Sequence, residues 1–300
     1  MSDTVNTAFV QQFKNNLELL VQQKGSMLLP HVKAEKITGK YTHFDRLGSG
    51  EASEVLTRHG DTPDPLNLAH SRRRVILRTF DAAELIDNAD KVRMLIDPTN
   101  EYSLSIAYAL GRKADDIILA ALYGSAYAVD SADAQSTVAF DTNNVIDEDI
   151  GTANSSLIVA KLRAAKKRFM VNNIDLQAES PIIVHAGTDL TDGLLTETSV
   201  TSSDYNTLKA LVNGEVNTFM GFKFVWCERL EQTTHKTASE SFVRAIAFVP
   251  SAIGVAMGRD INVRISERDD KRYSTQVYGA MDIGAVRRQE EKVVSIECYR

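Results

Sequence analysis

The six histidines are the first place to look for chemistry in this sequence, because histidine is the commonest general base and metal ligand. No two of them are four residues apart, as a helical zinc site requires, and they lie at His31, His43, His59, His70, His185 and His235. His185 follows an apolar run and precedes Gly187, so we single it out. A buried structural histidine explains that position more simply than a ligand does, and we expect no zinc site.

A short acidic stretch has a weak similarity to a calcium-binding loop. Its oxygen-bearing residues are Asp141, Asn143, Asp147 and Asp149. Such a loop requires glycine at its sixth position and glutamate at its twelfth. This sequence has Ile146 and Thr152 at those positions, so we expect no calcium site.

Phosphate-binding and nucleophile motifs are incomplete or absent. Gly48-Ser49-Gly50 begins like a dinucleotide-binding loop, but the third glycine is missing and no apolar strand precedes it. The sequence has neither a Walker-type phosphate loop nor a serine in a Gly-x-Ser-x-Gly elbow. Asp115 and Asp116 are adjacent on a predicted helix and therefore point in different directions. We predict no catalytic residue, no cofactor and no metal, and hence a protein that is not an enzyme.

The composition is that of an ordinary globular protein. Of the 300 residues, 43% are hydrophobic and 25% are charged, and the formal net charge is -6, so the chain has no overall attraction to nucleic acid. Cys227 and Cys298 are too few for a disulfide framework, and we predict buried free thiols in a reducing cytoplasm. We expect neither a signal peptide nor a membrane helix, since no suitable apolar run is present.

One long helix is predicted from about Pro98 to about Tyr123. Asp97 can cap it, Pro98 suits the first helical position, and Gly124 stands where a helix stops. The residues that share one face are Leu104, Ala107, Tyr108, Gly111, Ala114, Ile118, Ala121 and Leu122. At 1.5 Å per residue the helix would be roughly 35–40 Å long, which is enough to support several other elements.

Four shorter helices are predicted from the same periodicity. The first, an N-terminal arm, carries the apolar stripe Phe9, Phe13, Leu17, Leu20 and Val21. Because a short terminal helix must dock to be stable, we expect the arm to pack on its own domain or on a neighbouring subunit. The others run over Ala82 to Ile96, Ser155 or Ser156 to Val171, and Asp204 to Val212. The helix that ends at Val171 has a basic face, which we interpret as solvated. The residues of that face are Lys161, Arg163, Lys166, Lys167 and Arg168.

Residues from about 45 to 80 are predicted to form a long, extended β-hairpin. The segment is poor in apolar residues, contains turn-forming runs at Gly48 to Gly50 and Gly60 to Pro65, and ends in the basic strand Arg72 to Arg78. A polar hairpin of this length cannot bury much surface alone. We therefore expect it to obtain contacts from another chain.

The remaining chain predicts strands interspersed with helices. Strands are expected at 32–44, Pro181 to His185, Phe219 to Trp226, Phe242 to Val249, Ile261 to Ile265, Gln276 to Val286 and Val293 to Cys298, with a helical turn at Ser251 to Met257. No regular strand–helix–strand repeat is present. This order indicates an α+β fold with mostly antiparallel pairing.

Several runs of residues, taken in order, resemble the major capsid proteins of tailed bacteriophages. They are His70 to Arg74, Ala83 to Asp87, Asp90-Lys91, Asp97-Pro98, Tyr102, Ala109 to Arg112, Asp115 to Ile118, Leu208 to Gly214, Met220 to Phe222, Tyr278-Gly279 and Val293 to Ile296. The resemblance covers about residues 30–300. It depends on the order and spacing of the runs, since no single run is specific.

The resemblance implies a phage-type major capsid fold and a division of the chain. Residues 1–30 would be the N-terminal arm, and residues 31–125 would hold the extended loop (about 45–80) and the peripheral domain with its spine helix (about 98–123). Residues 126–260 would form the axial domain, and residues 261–300 would return as strands of the peripheral domain. No long, charged helical segment precedes residue 30, which implies a separate scaffolding protein or none.

The resemblance also implies a function. The protein would be made in the host bacterial cytoplasm and would self-assemble into the icosahedral head shell of a virion, enclosing double-stranded DNA. Its partners would be many copies of itself as pentamers and hexamers, together with candidate scaffolding, portal and decoration proteins. DNA would be contacted only non-specifically, and no membrane would take part.

Two sets of residues are predicted to make the contacts between subunits. Phe9, Phe13 and Leu17 of the arm would pack on a neighbour. On the return strand of the hairpin, four arginines would pair with acids of an adjacent subunit, and they are Arg72, Arg73, Arg74 and Arg78. Shell assembly requires many weak contacts that are repeated and closed by symmetry, and both elements suit that requirement.

Three other interpretations are open at this point. An encapsulin-like shell that encloses cargo enzymes would share the fold, and its packaged content would distinguish it. A soluble α+β enzyme would require a cleft with convergent polar groups. A different virion component, such as a tail or decoration protein, is the third alternative.

Overall fold

The computed structural model of the protein describes residues 22–52, 54, 68–87, 99–129, 134–151, 155–176, 178–186, 218–230, 232–234 and 241–299. Three predictions lie outside these residues: the arm with Phe9, Phe13 and Leu17, the helix at Asp204 to Val212, and the hairpin tip at 55–67. Among the described helices, none combines the length and the apolar character that crossing a bilayer requires.

Strands dominate the described residues, and two α-helices accompany them. The helices are α1 (Thr99–Tyr123) and α2 (Val159–Val171). In chain order the strands are β1 (Ala34–Lys36), β2 (Tyr41–Leu47), β3 (His70–Ile76), β4 (Arg78–Ile86), β5 (Ala126–Val129), β6 (Gln135–Val138), β7 (Val145–Ile146), β8 (Ile182–His185), β9 (Thr218–Phe219), β10 (Phe222–Trp226), β11 (Gln232–Thr234), β12 (Ser241–Phe248), β13 (Ile253–Arg268), β14 (Ser274–Arg287) and β15 (Val293–Tyr299). The α+β prediction with mostly antiparallel pairing is confirmed.

The predicted long helix is present as α1, and it packs on a four-stranded sheet that we call the long sheet. The strand order of that sheet is β1-β13-β14-β4. Along α1, the buried residues Ile106, Leu110, Ile118 and Leu122 belong to the largest apolar cluster of the described chain. Gly124 follows the helix, as predicted, and its amide still donates to the Ala120 carbonyl at 2.8 Å.

The base of the predicted hairpin lies in a second sheet, the hairpin sheet, with the order β2-β3-β5-β6. β2 and β3 pair antiparallel, from Tyr41 opposite Ile76 to Leu47 opposite His70. β3 crosses close to β14, since a Cβ added at Gly284 would lie 2.4 Å from the Ile76 carbonyl oxygen. Only glycine allows the two sheets to meet at that distance.

The third sheet, the wide sheet, contains the remaining strands in the order β7-β15-β12-β8-β10-β9, with β11 also paired to β12. α2 covers one of its faces, where Leu162, Ala165 and Phe169 pack in a cluster with Phe222 and Phe224. The strands predicted around positions 182, 224, 245 and 296 are all present. Both cysteines are buried free thiols, as predicted.

Two helical predictions were wrong where the chain is in fact extended. The first five residues of the predicted Ala82 to Ile96 helix belong to β4, which pairs with β14, and residues 88–98 lie outside the described chain. The run Ala82-Ala83-Glu84-Leu85-Ile86 is compatible with either structure, and the long β14 supplies the hydrogen bonds. The predicted helical turn at Ser251 to Met257 is a 3-10 turn at Pro250–Ala252 followed directly by β13.

The prediction for α2 needs correction at its start and on its basic face. The helix begins at Val159 after an Ile158 N-cap, so neither Ser155 nor Ser156 caps it. Lys161 is fully buried, and its ammonium donates to the carbonyls of Ser155 and Glu297. Burial lowers the pKa of Lys161, and the neighbouring negative charges partly oppose that shift. The exposed cations of the helix are Arg163, Lys167 and Arg168.

Residues 23–28 cross α1 at a single buried carboxylate. Asp115 is fully buried and accepts the Gln23 side-chain amide at 2.6 Å, the Ser26 hydroxyl, and the amides of Met27 and Leu28 at 2.9 and 3.1 Å. The Asp115 carboxylate thus satisfies donors that a turn would otherwise leave unpaired.

Close packing accompanies this contact. A Cβ added at Gly111 would lie 2.8 Å from the Gly25 backbone, so a side chain there would push the segment away from the helix. Arg112, the next residue of α1, donates to the Gln22 side-chain oxygen at 2.8 Å. Residues 22–26 are therefore held on α1.

Replacing Asp115 by Asn is expected to lower the free energy of unfolding by about 2–3 kcal/mol, because a neutral amide cannot accept from all four donors. Urea unfolding of the unassembled subunit measures the change. Asp116→Asn is the matched control, since Asp116 forms a partly exposed pair with Arg229 and should cost less than about 1 kcal/mol. Equal losses in the two variants would contradict the role assigned to Asp115.

Candidate functional site

The four arginines assigned to subunit contact lie along β3 and at the first position of β4. Because side chains alternate along a strand, Arg72 and Arg74 lie on one face of the hairpin sheet and Arg73 lies on the other. Arg72 and Arg78 are exposed, Arg74 is half-buried, and Arg73 is only 5% exposed. The structure therefore separates the four residues into an outer group and one inner residue.

Two members of the outer group, Arg72 and Arg74, make contacts within the hairpin. The Arg72 Nε donates to Asp45 Oδ1 on β2 at 2.8 Å, and both side chains are more than half exposed. The Arg74 guanidinium lies over the Tyr41 ring, 4.9 Å from its centroid. An exposed ion pair such as Arg72–Asp45 contributes little to folding.

The inner residue, Arg73, belongs to a cluster centred on Glu290, which lies in the turn between β14 and β15. Arg73 Nη2 donates to Glu290 Oε1 at 2.8 Å, and Arg46 Nη1 on β2 donates to Oε2 at 3.2 Å. Arg287 Nε lies 3.9 Å from Oε1. We call these four residues the Glu290 cluster. The Glu290 carboxylate therefore contacts both strands of the hairpin and links them to the turn after β14.

Arg287 extends the cluster to the end of α1. Its side chain is fully buried, and Nη1 donates to the carbonyls of Leu122 and Gly124 at 2.9 and 2.6 Å. Carbonyls at the end of a helix lack intrahelical donors and carry partial negative charge, so a guanidinium is a favourable partner. Burial lowers the pKa of Arg287, and the Glu290 carboxylate counteracts that effect.

The Glu290 cluster was not predicted from the sequence, because no spacing pattern links its four residues. Arg287, Arg288, Glu290 and Glu291 form a charged run between two apolar strands, which indicates a solvated turn. The backbone carbonyl of Glu290 also accepts from the Asn144 side chain at 3.0 Å. A charged turn that makes such contacts is recognisable only in three dimensions.

His185, the histidine singled out in the sequence, is a buried residue at the end of β8. Its Nδ1 lies 2.9 Å from the Ala186 carbonyl oxygen, and its ring meets the Phe224 ring edge-on at 5.7 Å. Burial lowers the pKa of His185, so the neutral imidazole is favoured. These contacts fit a structural histidine.

The acidic residues compared with a calcium loop do not converge as that motif would require. Asp141 accepts from the Asn143 amide at 2.9 Å and so caps a 3-10 turn. The acids whose oxygens approach one another are Asp147, Glu148 and Asp149, within 4.8 Å. Burial, and then the adjacent Asp147, raise the pKa of Glu148.

Asp115 and Asp116 diverge, as predicted. Asp115 binds the segment at 23–28, and Asp116 accepts two hydrogen bonds from Arg229, at 2.6 and 2.7 Å. The Asp116 carboxylate raises the pKa of Arg229. Each acid is thus engaged in a separate contact.

Replacing Glu290 by Gln is expected to lower the free energy of unfolding by about 3 kcal/mol, because it leaves the buried Arg287 and Arg73 without a counter-charge. Hydrogen exchange at 41–47 and 70–76 should also become faster. Glu291→Gln, at the adjacent exposed position, is the control and should change stability by less than about 0.5 kcal/mol. Unchanged exchange in the hairpin strands of the Glu290 variant would refute the attachment described here.

Solved structures of phage capsids have the same fold. The capsid of the cyanophage P-SCSP1u matches with a TM-score of 0.74 and 17% identity, over 99% of this chain and 94% of that chain. The capsid of Ralstonia phage GP4 matches with a TM-score of 0.73 and 12% identity, over 97% and 95%. The head structure of Helicobacter pylori bacteriophage KHP40 matches with a TM-score of 0.73 and 11% identity, over 99% and 98%.

The match at the level of sequence families extends along nearly the whole chain. No curated protein sequence matches this chain. The family model described as phage capsid protein, however, matches residues 5–300, which include the hairpin, α1 and all three sheets. The resemblance found in the order of the sequence runs is thereby confirmed. This chain belongs to the phage capsid protein family.

Proposed function

We propose that this protein is the major capsid protein of a tailed bacteriophage and that its copies build the icosahedral head shell. The observation that carries the proposal is the family match over residues 5–300. The agreement of fold with phage capsids over 97–99% of the chain supports it. The function is structural rather than enzymatic. This agrees with the Glu290 cluster and the Asp115 contacts, in which polar side chains hold elements of the fold together.

The hairpin suits a role between subunits because its attached base contrasts with its exposed outer part. The Glu290 cluster holds β2 and β3 on the body. Beyond it, Leu47 is 59% exposed, and residues 48–52 are all exposed. An extended polar hairpin obtains little stability from its own chain. Contacts with a neighbouring subunit would supply what is missing.

Within that role, the outer arginines Arg72, Arg74 and Arg78 contact acids of an adjacent subunit, while Arg73 serves the attachment of the hairpin to its own body. The exposure of Arg72 and Arg78, and the exposed pair of Arg72 with Asp45, support the first part. The burial of Arg73 against Glu290 supports the second. Phe9, Phe13 and Leu17 of the arm provide apolar contacts to a neighbour, in accordance with their spacing.

We propose that the shell contains pentamers and hexamers of this chain and that its further partners are a portal and decoration proteins, with either a separate scaffolding protein or none. The protein is synthesised in the host cytoplasm and resides in the virion. DNA is enclosed with only non-specific contacts. The net charge of -6 supports this, because an acidic wall does not bind phosphate tightly.

Electron microscopy of the purified protein, expressed with and without the other head proteins of its phage, tests the proposal. Closed icosahedral particles are expected, and particles from infected cells should contain nuclease-protected DNA. Particles filled with a cargo protein instead would indicate an encapsulin-like compartment. A monomer of 33.1 kDa under every condition would refute the proposed function.

The double charge reversal Arg72→Glu with Arg78→Glu should leave the subunit folded, because both side chains are exposed, and should reduce the yield of particles by about tenfold or more. Sedimentation measures the particles, and urea unfolding measures the subunit. The control reverses Arg163 and Lys167, two exposed cations of α2. If the hairpin variant assembles like the original protein, or if both variants fail equally, the assignment of these arginines is wrong.

A further inference from the structure

The Glu290 cluster carries more positive charge than its one carboxylate can balance. Arg46, Arg73 and Arg287 all approach Glu290, with nitrogen–oxygen distances of 3.2, 2.8 and 3.9 Å. Within the part of the chain that the structure describes, these three guanidinium groups pair with no other acid. Because an arginine keeps its proton in a folded protein, three positive charges face one negative charge.

Two of the three arginines are removed from water. Arg287 is fully buried and Arg73 is 5% exposed, whereas the Arg46 side chain keeps 20% of its surface accessible. Burial lowers the pKa of Arg287, Glu290 opposes that shift, and the charge of Arg73 lowers the pKa further. Arg73 and Arg287 are therefore close enough to repel each other, and the lack of water between them strengthens the repulsion.

Each of these two buried arginines also has a donor without an acceptor. The Nε–H groups of Arg73 and Arg287 have no hydrogen-bond partner among the described residues, and both nitrogen atoms are closed to solvent. Other donors of the same side chains are engaged, since Arg73 Nη2 binds Glu290 and Arg287 Nη1 binds the carbonyls of Leu122 and Gly124. Buried donors are nearly always paired in folded proteins, so two unpaired donors in one cluster require an acceptor.

The acceptor that meets both requirements is an anion. A water molecule could accept from an Nε–H group, but it would leave the excess of positive charge unchanged. An anion accepts from several guanidinium donors and lowers the charge excess at the same time. Because both Nε atoms are closed to solvent, a monatomic anion suits this position better than a phosphate or sulfate ion with four oxygens.

We propose that the Glu290 cluster is a binding site for a halide ion, chloride in ordinary solution, held by the Nε–H groups of Arg73 and Arg287. The ion would join β3 to the end of β14 and so hold the base of the hairpin at a second point beside Glu290. Arg46, the most exposed member, forms the side from which the ion enters. Since the site lies within one chain, its failure would leave the proposed capsid function intact.

Thermal unfolding of the unassembled, full-length subunit tests the proposal. Sodium chloride replaces sodium gluconate at constant ionic strength, because the gluconate ion is too large to enter a closed cluster. A ligand that binds only the folded chain raises the unfolding temperature as its concentration rises. Once the site is half-saturated, we expect each tenfold increase in chloride to raise the unfolding temperature by about 2–4 °C. Equal unfolding temperatures in chloride and gluconate, or a rise with sulfate but not with chloride, would overturn the proposal.

Arg73→Lys separates this site from halide binding elsewhere on the chain. Lysine keeps the positive charge but lacks the Nε–H group and the planar fork, so the chloride-dependent rise should fall by about fourfold or more. Arg72→Lys is the matched control, because Arg72 is exposed on the opposite face of β3, and it should keep the full rise. If Arg73→Lys responds to chloride as the original subunit does, the ion binds elsewhere and the inference is wrong.

Glu290→Gln should respond in the opposite direction. Loss of the carboxylate removes a negative charge next to the ion, so chloride should raise the unfolding temperature of this variant by more than that of the original subunit. The same enhancement in gluconate would show that salt merely screens the arginines, and it would contradict a specific site.

Chloride NMR gives a measurement that is independent of stability. Exchange of the ion with the folded subunit should broaden the chloride line, and Arg73→Lys should reduce the broadening by about fivefold relative to Arg72→Lys. Hydrogen exchange at 41–47 and 70–76 should also slow in chloride, because the ion holds the hairpin base. Equal line widths for the two variants would remove the assignment to Arg73 and Arg287.

Discussion

The burial of Arg287 is the constraint on which the arrangement of the described chain depends. A guanidinium that is fully removed from water is stable only if its donors are engaged and its charge is compensated. The carbonyls of Leu122 and Gly124 engage Nη1, and the Glu290 carboxylate compensates the charge. The end of α1 and the turn after β14 must therefore meet at one point.

That meeting point also determines how the hairpin is mounted. Glu290 has two carboxylate oxygens, and Arg46 and Arg73 use them to bring both hairpin strands to the body. Nearer the start of α1, the fully buried Asp115 attaches the segment at residues 23–28. Glu290, which is 13% exposed, and Asp115 thus hold two peripheral segments of the described chain on its body.

Several elements were predictable from sequence because a strong local pattern agreed with the final environment. In the sequence, a proline precedes α1, a glycine follows it, and its apolar face is continuous. The prediction therefore gave the bounds of this helix almost to the residue. β14 and β15 have clear alternation or dense apolar character. Predictions failed where the pattern was ambiguous. The residues at 82–86 are compatible with a helix or a strand, and they form a strand because they pair with β14.

The sequence by itself determined the fold class, the long helix, the polar hairpin and the family, because each follows from local periodicity or from the order of runs along the chain. Only the tertiary structure decided which charged side chains are buried. Lys161 and Arg73 are chemically like their exposed neighbours, yet one lies among backbone carbonyls and the other against Glu290, 217 positions away. The physical reason is that the cost of burying a charge depends on partners that folding brings from distant parts of the chain, and no local pattern records them.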